Sequence, residues 1–220
     1  MININNPNEL LRSLKSLSGP FPSFDVNLLP ETPGKLFLQW LNLAIENGVK
    51  EPHAMTLSTV DADGYPDARV LILKNVVNDA FYFASGFKSR KGQQLKRNPQ
   101  AAITFYWPML GRQIRLRGTV EDMGDEAGAA DFLQRSEEAR AVALTGNQSR
   151  ELVREEELED SLAKQRERIS HDPNITTLNW RLYAVNVKEA EFWQGDTHRK
   201  HIRVQYYWSE GQWKHRKLWP

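Results

Sequence analysis

At His53 the hydrophobic period of this chain changes from helical to alternating, and the runs that follow are joined by turns too short for a helical crossover. Met55 to Val60 alternates, Asp61-Ala-Asp-Gly64 supplies turn residues, and Ala68 to Lys74 returns as a paired strand. A second turn at Asn78-Asp79 leads into Ala80 to Ala84. After a short polar helix, Ser89 to Arg97, stopped by Asn98-Pro99, two more strands, Ala101 to Trp107 and Arg112 to Glu121, flank Pro108-Met-Leu-Gly111. Strands resume at Trp180 to Val187, Arg203 to Trp208 and Gln212 to Leu218. Helices are predicted over Gly124 to Leu144 and Glu151 to Ile169, the second with a solvated charged face. About seven strands in blocks, with helices inserted rather than alternating, predict a mainly β, α+β fold: an antiparallel barrel with packed helices, not a doubly wound parallel sheet.

Before the barrel, Thr32 as N-cap and Pro33 at the first helical position open a helix whose Leu36, Trp40, Leu43 and Ala44 share a face, ending near Gly48. Residues 1–31, punctuated by Pro7, Pro20, Pro22 and Pro30, read as a flexible arm, and residues 32–220 as a single domain.

Composition narrows the chemistry. With no cysteine there is no disulfide framework, thiolate zinc site, iron–sulfur cluster or cysteine nucleophile. Lys+Arg 29 against Asp+Glu 28 leaves a net charge of +1, so a basic site must be local and neither nucleic acid nor a membrane is an expected partner. No leader or membrane span is evident, which makes a cytoplasmic setting the expectation. The phosphate-loop, dinucleotide-fold, nucleophile-elbow and HExxH motifs are all missing, and the five histidines lack metal-ligand spacing, so no metal is expected.

What remains is a dispersed set of cations. Ser89, Arg90 and Lys91 stand at a helix start, where free backbone N–H groups and the dipole add to two positive charges and suit a phosphate monoester. Arg69 and Lys74, five apart, fall on opposite faces by strict alternation, and Gln113, Arg115, Arg117 and Thr119 make one face of their strand basic. The segment Glu191 to Arg203 sets Phe192-Trp193 before a glycine loop carrying His198, Arg199, Lys200 and His201. Such an arrangement suits an anionic aromatic ligand, and equally a core tryptophan beside a solvated basic turn.

In order, Arg69 to Lys74, Ser89-Arg-Lys91, the Gln113 strand, Gln148-Ser149 and Glu191 to Arg203 resemble the blocks of the pyridoxamine 5′-phosphate oxidase family, homodimeric FMN-binding split β-barrels. The likeness runs from about Thr32 to Pro220. It implies that Arg69, Val70, Leu71, Ile72, Leu73 and Lys74 lie along FMN, with Arg69 on its phosphate and Lys74 near ring and substrate. Ala84, Ser85, Ser89, Arg90 and Lys91 are implied as further cofactor contacts. So are Gln113, Gln148, Ser149, Trp193 and Arg203, partly from the other subunit. Arg199, His201 and Arg203 are the implied catalytic residues, and Lys74, Arg135, Arg199 and His201 the implied substrate contacts.

Two positions depart from the vitamin B6 oxidases of this family: Asp131, whose carboxylate would repel a phosphate dianion, replaces a phosphate-binding tyrosine, and Ala139 replaces a serine. Phe21-Pro22, Gly48 to Pro52, Tyr106-Trp107 and Trp213 to Arg216 are similar to a sister branch, the FMN oxidases of phenazine biosynthesis, while Lys74 is the residue of the B6 enzymes. The resemblance therefore implies an oxidase that passes electrons from a dihydro- or hexahydrophenazine carboxylic acid through FMN to O₂, releasing H₂O₂. The alternative is a pyridoxine/pyridoxamine 5′-phosphate oxidase making pyridoxal 5′-phosphate. More distant are a flavin binder without turnover, and a nucleic-acid binder using Arg112, Arg115 and Arg117.

Overall fold

The computed structural model describes residues 6–220, so the first five residues of the expected arm lie outside the described residues. Helix α1 (Pro7–Ser13) buries none of its side chains. The rest of the segment lies along the barrel: Phe24 meets Trp40 edge-on at 4.9 Å, Tyr206 donates to the Pro30 carbonyl at 2.8 Å, and Val26 and Leu29 pack on the core.

Helix α2 (Pro33–Glu46) starts as expected, the Thr32 hydroxyl accepting from the Lys35 amide. It buries Leu36, Phe37, Trp40 and Ala44 against the sheet. There follow β1 (Ala54–Val60), β2 (Pro66–Ile72), β3 (Asn75–Val77), β4 (Ala80–Gly86), α3 (Arg90–Arg97), β5 (Gln100–Trp107), a 3₁₀ turn at Pro108–Leu110 and β6 (Arg112–Asp122). Helices α4 (Gly124–Leu133), α5 (Glu137–Thr145) and α6 (Glu155–His171) precede β7 (Trp180–Gln194), β8 (Ile202–Ser209) and β9 (Gln212–Leu218). The strands form one antiparallel sheet in the order β2-β1-β5-β6-β7-β4-β3, with β8 and β9 continuing from β7. Just past β2, the amides of Leu73 and Lys74 donate to the carbonyls of His53 and Tyr82, which brings this edge back to β4 and curls the sheet into a barrel. Inside lie Leu57, Phe81, Ile103, Phe105, Ile114 and Phe192, with Phe37 against Phe81 and Phe105 at 4.9 and 4.8 Å. Burying each such side chain contributes about 1.5–3 kcal/mol.

Among the described residues the sheet has nine strands rather than about seven, and several boundaries differ from expectation. The expected helix from Gly124 to Leu144 is two helices, because the Ser136 hydroxyl caps a new one by accepting from the Ala139 amide. The expected helix from Glu151 begins at Glu155. The strand expected to end at Val187 runs on to Gln194, accommodated by a register shift between Arg117 and Gly118 of β6. At that bulge a Cβ on Gly118 would stand 2.1 Å from the Asn186 carbonyl oxygen, so only glycine lets the strands close. Long β7 thus pairs with β4 at its start and β8 at its end, and the candidate site residues gather at those two ends. Among the described residues no helix is long and apolar enough to cross a membrane, and no cluster of three His, Asp or Glu could hold a metal.

Candidate active site

At the start of β7, Trp180 pairs with Gly86, the last residue of β4, and the chain turns there into α3. The Ser89 hydroxyl caps α3 by accepting from the Gly92 amide at 3.3 Å. A Cβ on Gly92 would lie 2.3 Å from the Phe87 carbonyl oxygen, so glycine is what lets the helix begin this close to the strand end. Lys91, in the first turn, points inward and donates to the hydroxyls of Ser85 (3.0 Å) and Ser89 (3.3 Å). Burial, and then the charge of Arg69, push its ammonium down to about 8, with Asp67 pulling the other way. Arg69 on β2 reaches the same place, donating to Thr59 Oγ1 at 2.6 Å and pairing with Asp67 at 2.6 Å. Arg90 is largely exposed, its Nε 3.3 Å from Asp67, and its amide donates to Ser149 Oγ at 3.4 Å. Gln148 closes the rim, its Oε1 3.0 Å from where a Cβ on Gly86 would stand. Three cations and a helix N-terminus converge here, with the Asp67 carboxylate among them and Asp61 at the edge, 3.9 Å from Arg90 Nη2; such a donor set fits a phosphate monoester.

Beside this cradle a second group gathers. Strand β2 stops at Ile72, so the alternation expected to set Lys74 opposite Arg69 does not extend to Lys74. Lys74 Nζ instead reaches Asp131 of α4 at 3.1 Å, and the other Asp131 oxygen accepts from Trp180 Nε1 at 2.8 Å. Asp131 is buried, whereas the reading from sequence treated it only as a group that repels phosphate. Arg135 lies over the Trp180 ring at 4.0 Å and donates to the Ala139 carbonyl at 3.2 Å, while its buried Nε has no partner among the described residues. Burial lowers its pKa, with Asp131 opposing. A cavity of about 760 Å³ opens here between Arg135, Gln148, Trp180, Val142, Leu152 and Leu158.

The far end of β7 holds the other predicted residues. Pairing across β5, β6, β7 and β8 sets Tyr106, Gln113, Trp193 and Arg203 in one row. Phe192 enters the core, so Trp193 faces outward by alternation, and the core reading of Trp193 does not hold. The Glu191 carboxylate, itself buried, clamps Arg203 through contacts of 2.9 and 3.1 Å and also takes Arg115. Burial alone would push Glu191 up; the hydrogen bonds and charges of Arg203 and Arg115 outweigh it and hold the group below the usual carboxylate value. His201 lies 4.9 Å from the Trp193 ring, and its Nδ1 accepts from the Asp196 amide at 3.1 Å, which leaves Nε2–H as the outward donor. Arg199 is exposed in the left-handed region at φ 65°; its amide donates to the Asp196 carbonyl at 3.1 Å, and its side chain makes no hydrogen bond or ion pair with a described residue. The basic face expected on β6 is largely neutralised, since Arg115 and Arg117 pair with Glu191 and Glu189, and Arg112 is buried over Trp40 at 4.1 Å. Val70 and Ile72 are exposed, Leu71 and Leu73 turn inward, and Ala84 sits on β4 opposite Leu182.

Sequence reasoning missed Asp67, Thr59 and Gln94, which wire the cradle, and the clamp role of Glu191. Asp67 was readable, two residues before Arg69 on an alternating strand and so on its face. Thr59 and Gln94 lie ten and twenty-five residues away in sequence, and no local signal points to them.

The family profile described as pyridoxamine 5′-phosphate oxidase matches residues 41–169, more than half of the chain. The chain belongs to the pyridoxamine 5′-phosphate oxidase family. A second profile, the pyridoxine 5′-phosphate oxidase C-terminal dimerisation region, matches residues 180–220. Pyridoxine/pyridoxamine 5′-phosphate oxidase of Legionella pneumophila strain Lens is 39% identical over 188 residues, 86% of this chain and 87% of that one. The Pseudomonas paraeruginosa PA7 protein of the same name is 38% identical over 193 residues, 87% of this chain and 90% of that one. Among solved structures, PhzG from Burkholderia lata 383, in complex with tetrahydrophenazine-1-carboxylic acid, superposes with a TM-score of 0.84 at 26% identity, covering 92% of this chain and all of that one. An FMN-binding protein of Nostoc punctiforme shares the fold at TM-score 0.67 and 19% identity, over 86% of this chain and 98% of that one. The fold is the split β-barrel of this family, its cofactor is FMN, and this member is an FMN-dependent oxidoreductase.

Proposed function

We propose that the protein is an FMN-dependent oxidase that dehydrogenates a reduced heteroaromatic carboxylic acid of the dihydro- or hexahydrophenazine type, with O₂ as acceptor and H₂O₂ released. Asp131 is the observation that carries this reading. Its buried carboxylate already neutralises one of the two cations, Lys74 and Arg135, that would receive the substrate's anionic group. Two like unit charges about 5 Å apart at an effective dielectric of about 20 repel by about 3 kcal/mol, and a phosphate dianion doubles that. A single carboxylate meets half the repulsion and suits the one unit of positive charge left over. The fit to PhzG supports the same substrate class. Relatives at 39% identity favour a second reading, oxidation of pyridoxine or pyridoxamine 5′-phosphate.

The two ends of β7 would meet only between two copies of the chain. Trp180 and Trp193 are thirteen residues apart on one strand, about 40 Å along its path, beyond the reach of one mononucleotide. A homodimer would join one protomer's cradle (Arg69, Ala84, Ser85, Ser89, Arg90, Lys91, with Gln148 and Ser149) to its partner's ring row, and the dimerisation-region match supports this. When bound, FMN supplies acceptance of a hydride equivalent and its return as electrons to O₂. Trp193 and the exposed Val70 and Ile72 would wall the ring and exclude water. Arg203, held in place by Glu191, would direct its guanidinium at negative charge on the ring, with Gln113 beside it. Lys74, Arg135 and Arg199 would hold the substrate carboxylate, and His201 would donate from Nε2. Since aromatisation drives the oxidation, no strong general base is required.

Oxygen uptake by the FMN-loaded protein tests this directly, comparing reduced phenazine carboxylates with pyridoxine 5′-phosphate. Uptake with the former and near silence with the latter is expected. Efficient turnover of pyridoxine 5′-phosphate alone would establish the second reading.

A further inference from the structure

An arginine offers five N–H donors, and in Arg69 four are already in use. Nη1 serves the Leu57 carbonyl at 3.3 Å and Thr59 Oγ1 at 2.6 Å, and Nη2 serves Gln94 Oε1 at 3.4 Å and the Asp67 carboxylate at 2.6 Å. Thr59 and Gln94 are buried and bonded to each other at 2.5 Å, so they cannot withdraw. Asp67 differs: its side chain keeps 28% of its surface in water. It also takes Gln94 Nε2 at 3.1 Å and Arg90 Nε at 3.3 Å. One carboxylate therefore stands where two arginines of the phosphate cradle aim their donors, one of them able to present a fork only after that carboxylate leaves.

We propose that Asp67 is a built-in, displaceable counter-ion of the cradle: it holds Arg69 and Arg90 in place in the flavin-free protein and yields them to the cofactor phosphate on loading. This rests on the reading that the cradle receives the FMN phosphate. Without Asp67, Arg69 and Lys91 would crowd one small volume unneutralised and Arg90 would keep only its longer contact to Asp61 at 3.9 Å, a cost the flavin-free fold has to meet before any cofactor arrives. The Gln94 hydrogen bond, against the opposing effect of burial, and then the charges of Arg69 and Arg90, keep Asp67 ionised below the ordinary carboxylate range. Loading then exchanges arginine–carboxylate pairs for arginine–phosphate pairs, and the freed carboxylate turns to water beside a phosphate that repels it. Asp67 thus stabilises the flavin-free protein and weakens the holoprotein, which makes it a positioning residue that sets how tightly FMN is kept.

The test titrates full-length protein, stripped of flavin, with FMN and with riboflavin, which lacks the phosphate, following quenching of flavin fluorescence. Asp67→Asn keeps the shape and the acceptor for Gln94 while removing the charge. FMN is expected to bind about tenfold more tightly to this variant, while riboflavin stays within about twofold. The flavin-free variant should melt below the wild type and gain more on adding FMN. Asp67→Ser, which cannot reach either arginine, should behave the same way. Unchanged or weaker FMN binding by both variants, or an equal change for both flavins, would overturn the proposal. If the wild type does not distinguish FMN from riboflavin, the phosphate reading of the cradle fails first, and the proposal with it.

Discussion

The two ends of β7 use charge in opposite ways. At the Trp180 end the cations are wired within one chain: Lys91 to two serines, Arg69 to Thr59, Gln94 and Asp67, Lys74 to Asp131. At the Trp193 end the groups form an open row on the outer face of the sheet, with only Arg203 firmly clamped, and the Arg199 loop projects into solvent. The first end is pre-organised for a small, highly charged group. The second offers a flat, ring-sized surface, bordered by His201 and by the Trp219 carbonyl that accepts from Arg203. One protomer thus contributes two unlike half-sites, and function rests on how they are brought together.

The strongest way to break this comparison is to disable one end in each of two copies. Lys91→Ala with Arg69→Ala removes the cradle, Trp193→Ala with Arg203→Ala removes the row, and each variant alone is expected to be inactive. If the ends combine across a two-fold interface, refolding the two together should restore about a quarter of wild-type activity, because half the dimers then carry one intact site. No recovery in dimers shown to be mixed would mean that each chain builds its own pocket.

Within the row, Arg203→Ala should slow flavin reduction on the order of a hundredfold, while FMN affinity falls less than tenfold. Stopped-flow reduction and a flavin titration read the two effects separately, and equal losses would reduce Arg203 to a binding contact. The cradle should respond to pH instead. Burial lowers Lys91 to about 8, and a bound phosphate would raise it again. FMN affinity should therefore be level below pH 8 and fall above it, by at most about tenfold per pH unit. For the flavin-free fold the sign reverses: the cost of burying the charged lysine is fully present below pH 8 and is relieved as pH rises from 8 toward the ordinary value of 10.5. Lys91→Met should flatten the affinity profile, and a fall that persists in this variant would assign it to another group.

The cradle was far more legible in sequence than the row. Ser89-Arg90-Lys91 announces itself through helix-start chemistry alone, and in the structure Ser89 is the N-cap of α3 with Arg90 and Lys91 in its first turn. The row Gln113, Trp193 and Arg203 depends on register across β6, β7 and β8, fixed by a bulge at Gly118 that alternation cannot reveal. For the same reason β7 was predicted to end seven residues too soon, with the Glu191-Phe-Trp-Gln194 block beyond it rather than within it. Asp131 shows another limit: its position was singled out, but its partners Lys74 and Trp180 are 57 and 49 residues away, and only folding turns a repulsive carboxylate into a buried counter-ion.

The smallest expected effect sharpens the comparison at the Glu191–Arg203 contact of the open row. Glu191 is nearly inaccessible and shared between Arg115 and Arg203. Glu191→Gln keeps an acceptor for Arg203 but removes the charge that orients it, at a cost of about 1 kcal/mol in stability. If orientation is what Glu191 supplies, flavin reduction should slow about threefold to fivefold with FMN affinity unchanged, and Glu191→Asp, charged but shorter, should recover part of the rate. A lowered melting temperature with no change in reduction rate would make Glu191 a fastener of the sheet. The Trp193 end would then act by shape alone, and the contrast between a wired end and an open one would be complete.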